Sequence, residues 1–168
     1  MFTKERETMK RQGGFTLIEL VVVIVILGIL AVTAAPRFLN LQNDARKASI
    51  QGLKGAIDGA AGITYGKAAV EGVETATTSN VDGSISAAFG YPTATATGIG
   101  NAVVGLNEDW SSFVDTSATP NEIVIGFKQE GTITKAKITD TECYVKYTQA
   151  SSKDSAGAAK TVVVDDKC

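Results

Sequence analysis

From Phe15 to Ala35 the chain reads FTLIELVVVIVILGILAVTAA, a run of 21 residues with one charge, Glu19. At about 1.5 Å of rise per residue, a helix of that length spans about 30 Å, the thickness of a bilayer's hydrocarbon core. The helical pattern continues beyond it. Residues 37–66 contain no proline and few strong strand formers. Ile50, Leu53, Ile57, Ala60, Ala61 and Thr64 recur at spacings of 3–4 and share one face. The pattern thus predicts one long helix with a hydrophobic half over 15–36 and an amphipathic half over 37–66. The stripe on the second half suits packing against a sheet.

The other face of that half is rich in glycine. Gly52, Gly55, Gly59, Gly62 and Gly66 fall together, continued upstream by Leu41, Ala45 and Ala48. Glycine inside a helix costs about 0.5–1 kcal/mol relative to alanine. Two readings remain open: residues 52–66 break from helix, or the glycines let a neighbouring helix approach closely, as small-xxx-small faces do. Gly28 and Pro36 punctuate the hydrophobic half. Proline removes a helical hydrogen bond and bends the axis, and membrane helices tolerate this.

From Lys67 to about Pro120 the sequence turns polar and punctuated, with Thr75–Ser79, Val81-Asp82-Gly83, Tyr91-Pro92 and Gly98-Ile99-Gly100. Residues 67–120 therefore read as a connecting loop region with one or two short helices, one of them around Asn101–Leu106. The Gly98-x-Gly100 stretch lacks the preceding strand and the Lys-Ser/Thr ending of a phosphate loop. Residues 121–168 read as a sheet: Glu122–Phe127, Thr132–Ile138, Cys143–Thr148 and Thr161–Val164 are short and rich in β-branched or aromatic residues. An antiparallel meander is the simplest arrangement, covered by the Ile50/Leu53/Ile57 stripe. The expected fold class is α+β, with one very long N-terminal helix on a small antiparallel sheet.

Composition narrows the chemistry. The chain has no histidine, so Ser-His-Asp and Cys-His catalysis are excluded. No carboxylate, lysine or serine stands in a catalytic motif; no enzymatic centre, cofactor or metal site is expected. Asp165 and Asp166 read as a solvated acidic turn, because no EF-hand-like loop surrounds them. The net charge of −2 argues against a nucleic-acid surface. Lys10-Arg11 precede the apolar run, which predicts that the N-terminal side stays cytoplasmic. On the residues alone that run is either a signal or anchor segment, or one cut on its near side within Arg11-Gln12-Gly13-Gly14-Phe15. Cys143 and Cys168 are either two free thiols or, in an oxidising compartment, one disulfide; a secretory N-terminus favours the disulfide. Glu19 is costly in hydrocarbon unless it is protonated, near the interface or paired.

Gly13-Gly14-Phe15-Thr16-Leu17-Ile18-Glu19-Leu20 resembles the cleavage and methylation motif of type IV pilin precursors. A closer resemblance, to the mannose-sensitive haemagglutinin (MSHA) pilins of Vibrio and related bacteria, rests on Met9–Gly14 and the run through Pro36-Arg37-Phe38. It continues at Asp44-Ala45-Arg46 and more loosely at Gly90-Tyr91-Pro92 and Asp109-Trp110. The resemblance implies that residues 1–14 are a leader, cut by a prepilin peptidase between Gly14 and Phe15, and that the new Phe15 amine is methylated. It implies that Glu19 meets the Phe15 amine of a neighbouring subunit, that the Gly28–Pro36 segment can lose helix on assembly, and that Cys143 and Cys168 bound a disulfide loop. The implied protein is the major subunit of an adhesive surface pilus, assembled by inner-membrane machinery from a pool in that membrane. Its partners would be copies of itself and a host or environmental surface, mannose-containing glycans included. Two rivals are the major pseudopilin of a type II secretion system and a bitopic membrane protein with a periplasmic binding head. Tyr91 and Trp110 are the aromatics available to stack on a sugar, with core packing as their alternative role.

Overall fold

A computed structural model describes residues 14–168 and, outside residues 35–40, their side chains. Residues 1–13, most of the expected leader, lie outside the described residues. Helix α1 runs Leu17–Glu71, 55 residues. Its residues belong to two compact units that divide between Leu41 and Gln42.

In the first unit, residues 17–34 of α1 are exposed along their whole length, an 18-residue window with a mean hydropathy of 3.0. Among the described residues of this unit nothing covers these side chains, as suits a segment whose solvent is hydrocarbon.

In the second unit, α1 lays its predicted stripe on a sheet. Ile50, Leu53, Ile57 and Ala61 are buried in one cluster with Ile123, Ile125, Val145 and Tyr147. Thr64 is also buried, its hydroxyl donating to the carbonyl of Ala60 at 2.8 Å. The sheet is an antiparallel meander of β4 (Trp110–Asp115), β5 (Glu122–Phe127), β6 (Tyr144–Thr148) and β7 (Lys160–Val164), in that order. Arg46 stacks its guanidinium 4.3 Å from the centre of the Phe127 ring, and Phe127 lies 5.3 Å from Trp110. Gln51 donates to the Asp165 carboxylate at 2.9 Å, which ties the helix to the chain end.

A second, three-stranded antiparallel sheet follows α1: β1 (Ser79–Val81), β2 (Ile85–Ala88) and β3 (Tyr91–Pro92). A small core of Ala68, Val81 and Ala87 seats it on the last turns of α1. Tyr147 joins the two sheets: its buried hydroxyl donates to the Pro92 carbonyl at 2.7 Å. Desolvation raises its pKa above the ordinary phenol range.

The helix-then-antiparallel-sheet order is the α+β architecture expected, but three segments differ from the sequence reading. Residues 67–120 are not simply loop: they hold the three-stranded sheet, β4, and two single-turn helices, α2 (Ile99–Ala102) and α3 (Leu106–Asp109), around the one expected near Asn101–Leu106. The helix extends past residue 66 to Glu71. Thr132–Ile138 is not a strand. Its second half begins helix α4 (Lys135–Thr139), with Thr134 as N-cap, its side chain accepting from Lys137 N–H at 3.2 Å. Helix α4 packs on β4 and β5 and buries Ile138 completely. The site it covers is Gly126, where an added Cβ would stand 3.0 Å from Ile138 Cγ2.

Candidate functional site

The residues singled out by sequence fall into three groups. The first is the start of α1. Gly14 and Phe15 precede the helix, and the Phe15 side chain is 92% exposed. Thr16 and Glu19 form a reciprocal cap. Glu19 Oε2 accepts from the Thr16 N–H and from Thr16 Oγ1, each at 2.8 Å. Thr16 Oγ1 in turn accepts from the Glu19 N–H at 3.2 Å. This capping box satisfies two of the donors that a helix start leaves without intrahelical partners. The Thr16 N–H and hydroxyl both meet Oε2 of Glu19, so Oε1 takes no part in the box. The sequence reading missed Thr16, although Thr-x-x-Glu before an apolar run is the signal that finds it.

Gly28 and Pro36 both fall within α1, Gly28 exposed with nothing within 4 Å of an added Cβ. The Pro36 side chain lies outside those described.

The second group is the glycine face in the second unit. Residues 52–66 are helical throughout, so the helix-breaking reading does not hold. A Cβ added at Gly52, Gly55, Gly59, Gly62 or Gly66 would meet nothing within 4 Å. Among the described residues the glycines therefore serve no close approach. Gly52, Ala56, Gly59, Ile63, Gly66 and Val70, alternately four and three apart, form a second helical seam opposite the buried one, and all are exposed. Ile63 and Val70 are 66% and 89% exposed. Two shallow grooves flank Ile63. One, of about 360 Å³, runs from Ala56 and Gly59 to Val103 and Val104. The other, of about 430 Å³, lies by Gly66, Val70 and Asp82. Val104 is fully exposed at the rim. Ala56, Ile63 and Val70 escaped the sequence reading, which followed glycine rather than spacing.

The third group is the cysteines. Cys143 and Cys168 are joined as a disulfide across a sequence separation of 25, both buried in the main core. The bond anchors the chain end beneath β6, where Lys167 N–H also donates to the Glu142 carbonyl at 3.2 Å. Tyr91 and Trp110, the aromatics weighed for sugar stacking, both pack on the main core, Tyr91 with its ring 4.8 Å from Tyr65.

Among the described carboxylates a large shift is found at Asp115. Lys135 Nζ at 2.5 Å, helped by Ser117 at 2.6 Å, holds the carboxyl well below its ordinary range. It ties α4 to β4 on the sheet and faces no reactive group. Nothing in this arrangement resembles a nucleophile with its base.

Comparison with known proteins bears on the first group. Residues 9–35 match the prokaryotic N-terminal methylation motif. Over 53 residues, 32% of this chain, the sequence is 47% identical to the type IV narrow pilus major component PilA5 of Thermus thermophilus. The match covers about half, 46%, of that relative's length. No solved structure matches the chain.

Proposed function

We propose that the chain is a type IV pilin precursor whose residues 15–168 polymerise as the major subunit of a surface pilus. The observation that carries this is the pairing of a methylation motif over residues 9–35 with an apolar helix whose described residues 17–34 are all exposed. Such a helix needs hydrocarbon before assembly and other copies of itself afterwards. A prepilin peptidase cuts between Gly14 and Phe15 and the new amine is methylated. Inner-membrane machinery then draws subunits from the membrane pool into the fibre.

Each subunit would bring two seams to the fibre, residues 17–34 and the Gly52–Val70 face. Glu19, with Oε1 outside the capping box, pairs with the Phe15 amine of a neighbour. Gly28 and Pro36 are the points where α1 can open on assembly, since neither side chain strengthens the helix. The role is structural and not enzymatic. A mannose-sensitive adhesive type rests on the head and N-terminal residues quoted for that resemblance. The rival reading, a type II secretion pseudopilin, shares the N-terminal motif; the disulfide-closed C-terminus favours the pilin.

Mass analysis of fibres sheared from cells tests this. The subunit should begin at methylated Phe15 and lack residues 1–14. An unprocessed chain confined to the membrane would refute it and support a bitopic anchor.

A further inference from the structure

The four-stranded sheet has two edges, β4 and β7. Helices α3 and α4 pack on β4; among the described elements none but β6 packs on β7 to a similar extent. The backbone alternation shows what the β7 edge offers. Asn121 and Gln149 stand one step beyond the Glu122–Thr148 pair, and the Gln149 N–H donates to the Asn121 carbonyl at 3.1 Å. Opposed residues of an antiparallel pair alternate between hydrogen-bonded and open. The backbone groups of Val145 and Tyr147 therefore turn to β5, and those of Tyr144, Lys146 and Thr148 turn to β7. There they meet Val164, Val162 and Lys160. The N–H and C=O groups of Thr161 and Val163 are left pointing out of the sheet. Among the described residues nothing donates to them or accepts from them.

Exposed edges are ordinarily blunted by proline, a bulge, a charge within the strand or a covering element. Strand β7 reads Lys-Thr-Val-Val-Val, pairs with β6 without a break, and carries its one charge at its start. Val162, at its centre, is 48% exposed. Such an edge is a template for a further strand. Its charges say which strand fits. Lys160 stands at one end and Asp166 just past the other, and among the described residues neither makes an ion pair. Val163 packs on the main core, so Lys160, Val162 and Val164 share the opposite face. An antiparallel strand matches this with an acid near its C-terminal end, β-branched residues in its middle and a base near its N-terminal end.

The β7 strand of a second copy has that pattern too, but pairing two of them needs a two-fold axis that reverses one subunit. Subunits added in turn to a fibre share one direction. The edge then stays open along the fibre to a strand of another protein. That choice of occupant rests on the fibre reading; the open edge does not. We propose that β7 binds an extended segment of another protein as an added antiparallel strand, basic at its N-terminal end and acidic at its C-terminal end.

The probe is an end-capped, fluorescent peptide reading Lys-Thr-Val-Thr-Val-Thr-Asp, titrated with the full chain in detergent and read by anisotropy. Its aspartate meets Lys160, and its fourth and sixth residues meet Val163 and Thr161. The native chain should bind it. Methylating the amides of the fourth and sixth residues should weaken binding at least about tenfold. Methylating those of the third and fifth, which face away from β7, should not. Thr161→Pro removes an N–H that β6 does not use, so the melting temperature should stay near the native value while binding falls at least about tenfold. Lys160→Glu should weaken binding about threefold, and a peptide ending in lysine should restore it. Absence of binding, equal loss from the two methylated peptides, full binding to Thr161→Pro, or no restoration by the lysine peptide would each overturn the proposal. So would a dimer of the peptide-free chain, seen by sedimentation velocity and abolished by Thr161→Pro, which would give the edge to a second copy. Fibres are not read out, so failure here leaves the fibre reading to its own test.

Discussion

Replacing Glu19 tests the assembly mechanism, but the capping box decides which replacement is informative. Glu19→Leu removes two things together: the acceptor for Thr16 and the negative charge. The geometry separates them. Glu19→Gln keeps an amide oxygen that can accept from the Thr16 N–H and Oγ1, now at 2.8 Å from Oε2, while the charge is lost. Thr16→Val keeps the charge and removes the hydroxyl half of the box. Loss of a cap costs about 0.5–2 kcal/mol of helix stability. Leaving a cationic amine buried without its counter-charge costs about 3–5 kcal/mol. The second figure corresponds to about a hundred- to several-thousand-fold in the equilibrium for each subunit added. Because the loss recurs at every addition, Glu19→Gln should leave few or no fibres, while Thr16→Val should lower fibre number modestly. Cleavage after Gly14 should continue in both. The assay pairs an immunoblot for processed subunit in the membrane with fibre counts by electron microscopy. Normal fibres from Glu19→Gln alongside poor fibres from Thr16→Val would show that Glu19 acts as a helix cap, and the charge-pairing argument would fail.

Three further outcomes are expected. Gly59→Leu should suppress fibres yet leave the chain folded, with helix propensity gained by about 0.5–1 kcal/mol, because an added Cβ there meets nothing within 4 Å; unchanged fibre counts would refute the close-approach role, and a lowered melting temperature would reassign the glycine to the chain's own fold. Removing the disulfide as Cys143→Ala/Cys168→Ala should lower stability by about 3.5 kcal/mol through loop entropy at a separation of 25, read as the urea midpoint of the intact chain; a loss under about 1 kcal/mol would show that the bond adds little. The carboxyl of Asp115 titrates below its ordinary range, chiefly through Lys135, so its stabilisation is present above pH about 4 and fades as pH falls below that; Asp115→Asn should flatten the acid limb of the urea midpoint against pH, and parallel limbs in the two proteins would contradict it.

Some of this protein was written in its sequence because the determining interactions are local. An apolar run broken by a single charge, Glu19, defines residues 17–34 whatever surrounds them, and the motif around Gly14–Glu19 lies within a few consecutive residues. The 3–4 spacing of Ile50, Leu53 and Ile57 named the buried face of α1 correctly. Glu122–Phe127 was legible as a strand because its Ile-Val-Ile centre is buried on both faces, one under α1 and one near α4. Other segments are settled by partners far along the chain. The alternation in Thr132–Ile138 reads as a strand, yet Thr134 caps a helix and Ile138 finds its place over Gly126. Trp110–Asp115 carries two serines and gives little strand signal; its register against Phe127–Glu122 makes it one. The strands β1 to β3 are two to four residues long, too short for periodicity to speak. The same holds for sites. The cap at Thr16 is a four-residue pattern and could have been read. Local chemistry fixed how the chain begins and where its long helix lies. Only the packing of two sheets against that helix decided which glycines stay open.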